Sequence, residues 1–317
     1  MQLAPRRHRA HGLPALLAFA CGAVLLATLL AIAPTPARAA PPAASPAARV
    51  ARIVAAENFY GALIQQLGGA QVTVTSVLSN PGQDPHSFEA SPKVARALAR
   101  ADLVVYNGAD YDPWMTPLLK VSAHAGRTEI VAATLLGTPA GANPHLWYEP
   151  RTLPALARAV SAYLSARDPA QAALYQQRLA DFLASMQPIN AKIAALRAKY
   201  HGTKVSATEP VFGYMAEAIG LDMQNARFQT AVMNESEPSA ADVGAFEQGL
   251  QSKAIKVLIY NAQTSGQMSR RLLSIARSAG VPVVPVSETQ PAGKSYQQWM
   301  LDQLDQLEQA LAHPPAR

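Results

Sequence analysis

Cysteine is nearly missing: Cys21 is the only one in 317 residues, and it sits within an apolar stretch near the start. Beyond that stretch there can be no disulfide, no thiolate nucleophile and no cysteine-held metal. A lipid-modified start at Cys21 would need a leucine-led recognition sequence, and Ala18-Phe19-Ala20 matches one poorly. Charged residues make up only 15% and aromatics 6%, while half the chain is hydrophobic, which excludes overall disorder. Beyond the start of the chain there is no H-E-x-x-H, no G-x-S-x-G and no glycine-rich phosphate loop, so the common hydrolase and nucleotide signatures are absent. A strong basic surface is missing too. Four of the 27 basic residues, Arg6, Arg7, Arg9 and Arg38, lie in the first 39 positions, which hold no acid; the remainder carries 23 against 21 acidic residues. A net +2 gives no ground for a nucleic-acid partner.

What is there begins with a targeting segment. Arg6 to Arg9 form a positive region, Leu13 to Ala33 a largely apolar run, and Ala37-Arg38-Ala39 a small-x-small cleavage site. Residues 1–39 therefore read as a signal peptide, with a retained membrane anchor as the alternative. Residues 40–49, rich in Ala, Pro and Ser, read as a flexible lead-in.

From Arg52 onward strands and helices alternate. Ile53 to Ala56 reads as a buried strand, Phe59 to Leu67 as a helix, Val72 to Leu78 as a strand, Ser91 to Ala101 as a helix and Leu103 to Tyr106 as a strand. That pitch argues for parallel β-α units. The middle differs. Asp168-Pro169 suits a helix start, and up to Tyr200 there is no glycine and only Pro188 among the prolines. About 30 helical residues would span roughly 45 Å, enough to run beside two lobes, with a kink at Pro188. A second β-α set follows: Lys204 to Ala207, Phe212 to Ile219, Ile255 to Tyr260, Arg270 to Ser278, Val281 to Val286 and Tyr296 to Leu311. Pro282 and Pro285 confine the Val281–Val286 strand to a sheet edge or shorten it. The fold class is α/β, with two Rossmann-like lobes of parallel sheet joined by one long helix.

Beyond the first 39 residues there are five histidines: His86, His124, His145, His201 and His313. Two share a setting, Asp84-Pro85-His86 and Asn143-Pro144-His145, each behind a proline in a loop before a helix. Such loops gather at the strand ends where ligands bind, and neutral imidazole is a common ligand for zinc, manganese and iron. On spacing alone, two such turns more often mean polar loop residues than ligands.

The stretch Gly82-Gln83-Asp84-Pro85-His86-Ser87-Phe88-Glu89 to Pro92 resembles the G-x-D-P-H-x-Y-E-x-x-P signature of metal-binding solute receptors of bacterial ABC transporters. This is the cluster A-I zinc and manganese family, and Phe88 replaces its usual tyrosine. Ala101 to Gly108 resembles the family's A-D-L-x-x-x-N-G strand. Asn143 to Trp147 resembles D-P-H-x-W, with Asn143 in place of aspartate. Phe212-Gly213-Tyr214 and Gly220-Leu221 resemble the F-x-Y and G-L of the second lobe. The matches run in order from about residue 50 to 312.

The resemblance implies four metal ligands, two from each lobe. His86 and His145 fall on the first two. Five residues before Tyr214 lies Glu209, at a position that is histidine in many zinc members and glutamate in manganese or iron members. The fourth, usually an aspartate after the last strand, falls on Glu288, with Asn261 and Asp222 as fallbacks. Glu209 and Glu288 each closely follow an apolar strand, an unusual place for a solvated carboxylate. Trp114, Trp147, Tyr214 and Trp299 lie near the matched segments and would form an apolar shell, Trp299 equally serving as packing between lobes. His124 and His313 read as surface residues, and His201 as a helix-end residue.

Two imidazoles and two carboxylates suit manganese or iron(II) slightly more than zinc, against an affinity order that favours zinc. Four protein ligands enclose an ion, whereas a catalytic zinc keeps an open position. The implied protein is no enzyme. It is a monomeric periplasmic receptor that carries one divalent transition metal ion as cargo to an ABC permease with its ATPase. A periplasmic metallochaperone or adhesin-like receptor is the alternative, and a metal-dependent hydrolase is disfavoured. The implied organisation is a metal-binding N-terminal lobe over residues 50–168, a connecting helix over 169–200 and a C-terminal lobe over 201–317. A long connecting helix would permit little relative movement of the lobes.

Overall fold

The computed structural model describes residues 49–80, 88–264 and 266–313. The expected signal segment, most of the lead-in and His86 lie outside the described residues. Among the described residues, no helix is long and apolar enough to cross a membrane.

The first sheet takes its strands from β1 (Ala51–Glu57), β2 (Val72–Leu78), β3 (Leu103–Tyr106) and β4 (Thr128–Val131). They pair in parallel in the order β2-β1-β3-β4, with Ile53 opposite both Val74 and Leu103. Helices α1 (Asn58–Gly68), α2 (Pro92–Leu98) and α3 (Met115–Val121) make the crossovers, α4 (Ala132–Leu136) follows β4, and α5 (Thr152–Arg167) packs against α1 and α4. The inner strands are the ones whose apolar runs are continuous, because helices cover both their faces. The second sheet is formed by β5 (Lys204–Ala207), β6 (Asp222–Gln224), β7 (Val257–Asn261) and β8 (Val283–Val286). Its order, β6-β5-β7-β8, repeats that of the first. No sequence repeat announces this; the likeness lies in topology alone.

Between the sheets, Pro169–Gln171 forms a short 3-10 turn, and α6 (Ala172–Ser185) and α7 (Gln187–Tyr200) follow, separated only at Met186. Pro188 sits in the first turn of α7, where its missing N–H costs nothing. The expected connecting helix is thus present as α6 and α7, and the irregularity expected at Pro188 lies two residues earlier, at Met186. α6 packs against α1 and α5, and α7 packs onto α8 (Gly213–Ile219) and the closing helix α12 (Tyr296–Ala312). Helices α9 (Ala226–Met233), α10 (Ala240–Gln251) and α11 (Gln267–Ala279) complete the second lobe.

One buried core is continuous from Ile53 and Leu103, through Trp147 and Tyr148, to Val205, Phe212 and Trp299. Hydrogen bonds cross the same boundary. Tyr296 donates to the Trp147 carbonyl at 2.6 Å and Tyr148 to the Ser287 carbonyl at 2.9 Å, while Asn58 and Gln290 exchange two bonds. A hinge here would have to open a close-packed apolar interface. β8 is short and at the edge, as its prolines require. The carbonyl of Pro282 accepts from Leu258 in β7 and that of Val286 from Ala262 just after it, so Pro285 faces the outer edge.

Candidate metal centre

The strand ends of both lobes converge, and the residues there are polar yet buried. β5 runs into Thr208 and Glu209, β7 ends at Asn261, and β8 runs into Ser287 and Glu288. His145 arrives from the first lobe, on the loop between α4 and α5. One ligand-type atom from each of His145, Glu209 and Glu288 lies within 4.8 Å of the other two. Glu209 is 4% exposed; His145 and Glu288 are fully buried. Carboxylates are almost never buried to this degree without a cation or a set of donors.

The donors are local. Asn261 gives one amide hydrogen to Glu209 Oε2, at 2.8 Å, and the other to Glu288 Oε1. Its own carbonyl oxygen accepts from Gln263 N, and its backbone N–H donates to Thr208 Oγ1. Gln263 Oε1 accepts the N–H groups of Glu288 and Thr289. Asn261, expected only as a fallback ligand, is the group that sets the two carboxylates side by side. Asp222, the other fallback, lies at the opposite end of its sheet, paired with Lys204 at the strand start, and is exposed.

On the first-lobe side, β3 ends beside Asn107, whose amide donates to the Pro144 carbonyl at 2.8 Å and whose Oδ1 accepts from Tyr60. Gly108, Ala109 and Asp110 then take left-handed backbone, with φ of 73°, 50° and 64°. That turn curls the chain so that Asp112 accepts from the N–H groups of Asn107 and Gly108, at 2.7 and 2.9 Å. Asp112 faces Glu57, the last residue of β1. Burial first, then the Asp112 carboxyl, pushes Glu57 well above the usual carboxylate range. Burial also raises Asp112 to about 6, against the pull of the two backbone N–H groups. Burial thus biases both carboxyls toward the protonated form. Sequence reading missed this pair. The resemblance pointed to Glu209 and Glu288; the feature noted beside it, an acid close behind an apolar strand, also applies to Glu57.

The imidazole of His145 lies beside Trp147 and Tyr111, with ring centroids 5.3 and 6.1 Å away. Burial, and after it Glu288, raises the Tyr111 hydroxyl well above its ordinary value. Trp114 stacks with Phe88 at 4.7 Å, and Tyr214 donates to the Asn143 carbonyl at 2.7 Å. Trp299 touches Phe59, Tyr148 and Tyr296 rather than His145, so it packs the lobes together. His124 and His313 are exposed and bond to nearby carbonyls. His201 caps the end of α7.

Two lobes of parallel sheet, closed over one buried cluster of imidazole and carboxylates, define the class of two-lobed α/β solute-binding proteins. The model of the family described as zinc-uptake complex component A, periplasmic, matches residues 53–310, and the chain belongs to that family. The high-affinity zinc uptake system protein ZnuA of Paracoccus denitrificans is 24% identical over 266 residues, which cover 70% of this chain and 76% of that one. The manganese ABC transporter substrate-binding lipoprotein PsaA of Streptococcus pneumoniae is 19% identical over 282 residues, covering 82% and 89%. In fold, the chain matches the periplasmic zinc-binding protein TroA of Treponema pallidum with a TM-score of 0.70 at 18% identity, over 83% of this chain and 99% of that one.

Proposed function

We propose that this chain captures one divalent transition metal ion between its lobes and delivers it to an ABC permease for uptake. One observation carries the reading. His145 Nε2 is buried without a hydrogen-bond partner, 3.7 Å from a carboxylate oxygen of Glu288, with Glu209 alongside. Its Nδ1 is already engaged by the Asn143 side-chain oxygen at 2.6 Å. A lone pair facing a carboxylate in a dry interior is unfavourable unless a cation joins them.

His145, Glu209 and Glu288 serve as ligands in this reading, and His86, outside the described residues, supplies the fourth. Such a shell encloses the ion and leaves no open position for an activated water, which fits a carrier and not a hydrolase. Oxygen donors on half the shell favour manganese or iron(II) slightly over zinc. The remaining parts of the proposal are a cleaved leader over residues 1–39, a periplasmic location, and a monomer that meets a permease coupled to an ATPase. Its lobes would span residues 50–168 and 201–317, with the helix between them.

Competitive titration of chelator-stripped protein with manganese, iron(II) and zinc tests the reading. One ion bound per chain, lost in His86→Ala and retained in His124→Ala, is the expected result. Failure of all three ions to bind tightly, or equal losses in both variants, refutes it. The ratio of zinc to manganese affinity measures how far two carboxylates offset zinc's general advantage.

A further inference from the structure

Asn143 stands two residues before His145, and two backbone groups fix which way its amide points. The His145 N–H can only donate, and it meets Oδ1 at 3.1 Å; the Pro210 carbonyl can only accept, and it meets Nδ2 at 2.8 Å. With Oδ1 assigned in this way, its 2.6 Å contact to His145 Nδ1 requires the proton to sit on Nδ1. In the neutral imidazole the lone pair is then on Nε2, the nitrogen beside Glu288.

The same side chain reaches the other lobe. Pro210 directly follows Glu209, and Tyr214 from α8 donates to the Asn143 carbonyl. Gly213 approaches so closely that a Cβ there would lie 2.8 Å from Asn143 Nδ2. Only glycine leaves the amide room to pass. A carboxylate at position 143 could accept from His145 but could not donate to Pro210; it would set oxygen against oxygen.

We propose that Asn143 is a positioning residue for the cation site. It locks His145 in the Nδ1–H tautomer and ties that imidazole, across the lobe boundary, to the loop carrying Glu209. Histidine and carboxylate are thus set as one unit rather than by separate lobes. The inference rests on the cation reading above, and two of its readouts separate the two ideas.

The test uses zinc as probe in competition titrations of wild type, N143A, N143D, G213A and the N143A/G213A double variant, with His145→Ala as control. Imidazole nitrogen NMR of the metal-free proteins reports the tautomer. Groups that orient a metal-bound histidine typically contribute about 10- to 100-fold in affinity, and N143A is expected to lose that much. His145 is expected to change from a single Nδ1–H tautomer to a mixture in N143A. N143D keeps the tautomer and still loses affinity, because the bond to Pro210 is gone. G213A weakens binding when Asn143 is present and adds nothing to N143A, since the two act through one contact. Wild type tight, His145→Ala weak and N143A within twofold of wild type would overturn the positioning role alone. Additive losses in the double variant, or an unchanged tautomer in N143A, would do the same. A wild type that binds no zinc, manganese or iron(II) would overturn the cation reading beneath it.

Discussion

Each lobe places a buried glutamate at the end of its first inner strand and a buried asparagine at the end of its second. In the first lobe these are Glu57, the last residue of β1, and Asn107 after β3; in the second they are Glu209 after β5 and Asn261, the last residue of β7. The sheets share one strand order, so the positions correspond. Their tasks do not. Asn261 spends both amide hydrogens on carboxylates, Glu209 and Glu288. Asn107 spends its hydrogens on carbonyls, Gly108 and Pro144, and so holds the loop that delivers His145. Glu57 faces a second carboxyl, Asp112, which together with burial raises its proton affinity, while Glu209 joins a cluster with an imidazole. The scaffold fixes where a polar group can be buried; the partner residue decides whether it becomes a site or a support.

That contrast can be broken most directly at the cluster itself. Glu209→Ala should lose more zinc affinity than the about 10- to 100-fold expected for a supporting group, read by competition titration. A smaller loss would place Glu209 among the supports. Next come the paired asparagines. Asn261→Ala should lower affinity within that 10- to 100-fold range, by releasing two carboxylates to repel each other. Asn107→Ala should chiefly cost stability, about 1–3 kcal/mol for stranded buried groups, or a fall in Tm of roughly 2–4 °C per kcal/mol for a chain approaching this size. Equal affinity losses in the two variants would erase the distinction between site and support.

The smallest effect concerns the Glu57–Asp112 pair. Both carboxyls bind protons more tightly in the folded than in the unfolded chain, so folding takes up protons. The Asp112 contribution is complete below its unfolded value, 3.8, and is lost as pH rises through about 6; that of Glu57, raised in the same direction from 4.5, is also lost as pH rises. Metal-free Glu57→Gln should therefore show a flatter decline in stability from pH 4 to 7 than wild type, measured by denaturant titration. An unchanged slope would mean that the first-lobe pair does not take up protons on folding.

Much of this was legible in sequence, for identifiable reasons. β1, β3 and β7 are buried on both faces over most of their length and write themselves as apolar runs, and β5 is a short buried strand beside them. The edge strands Thr128–Val131 and Asp222–Gln224 carry no such run, because solvent covers one side, and they were not foreseen. Glu209 and Glu288 could be picked out because the resemblance placed ligands there, and an acid close behind an apolar strand agreed with it. The clamp at Asn261 could not. Its role depends on the register that brings β5, β7 and β8 together, and nothing in the neighbouring residues encodes it. The Glu57–Asp112 contact joins positions far apart in the chain and appears only once β1 and β3 lie side by side.

Pro285 has a bearing on the company this molecule keeps. An outermost strand ordinarily offers alternating donors and acceptors to any extended chain that drifts past, and that is how sheets grow into aggregates. Along β8 the outward-facing nitrogen at Pro285 has no hydrogen to give. A passing strand would leave an acceptor unsatisfied there, two residues from the loop that holds Glu288. The blunt edge keeps the rim of the cluster from being stitched to a neighbour.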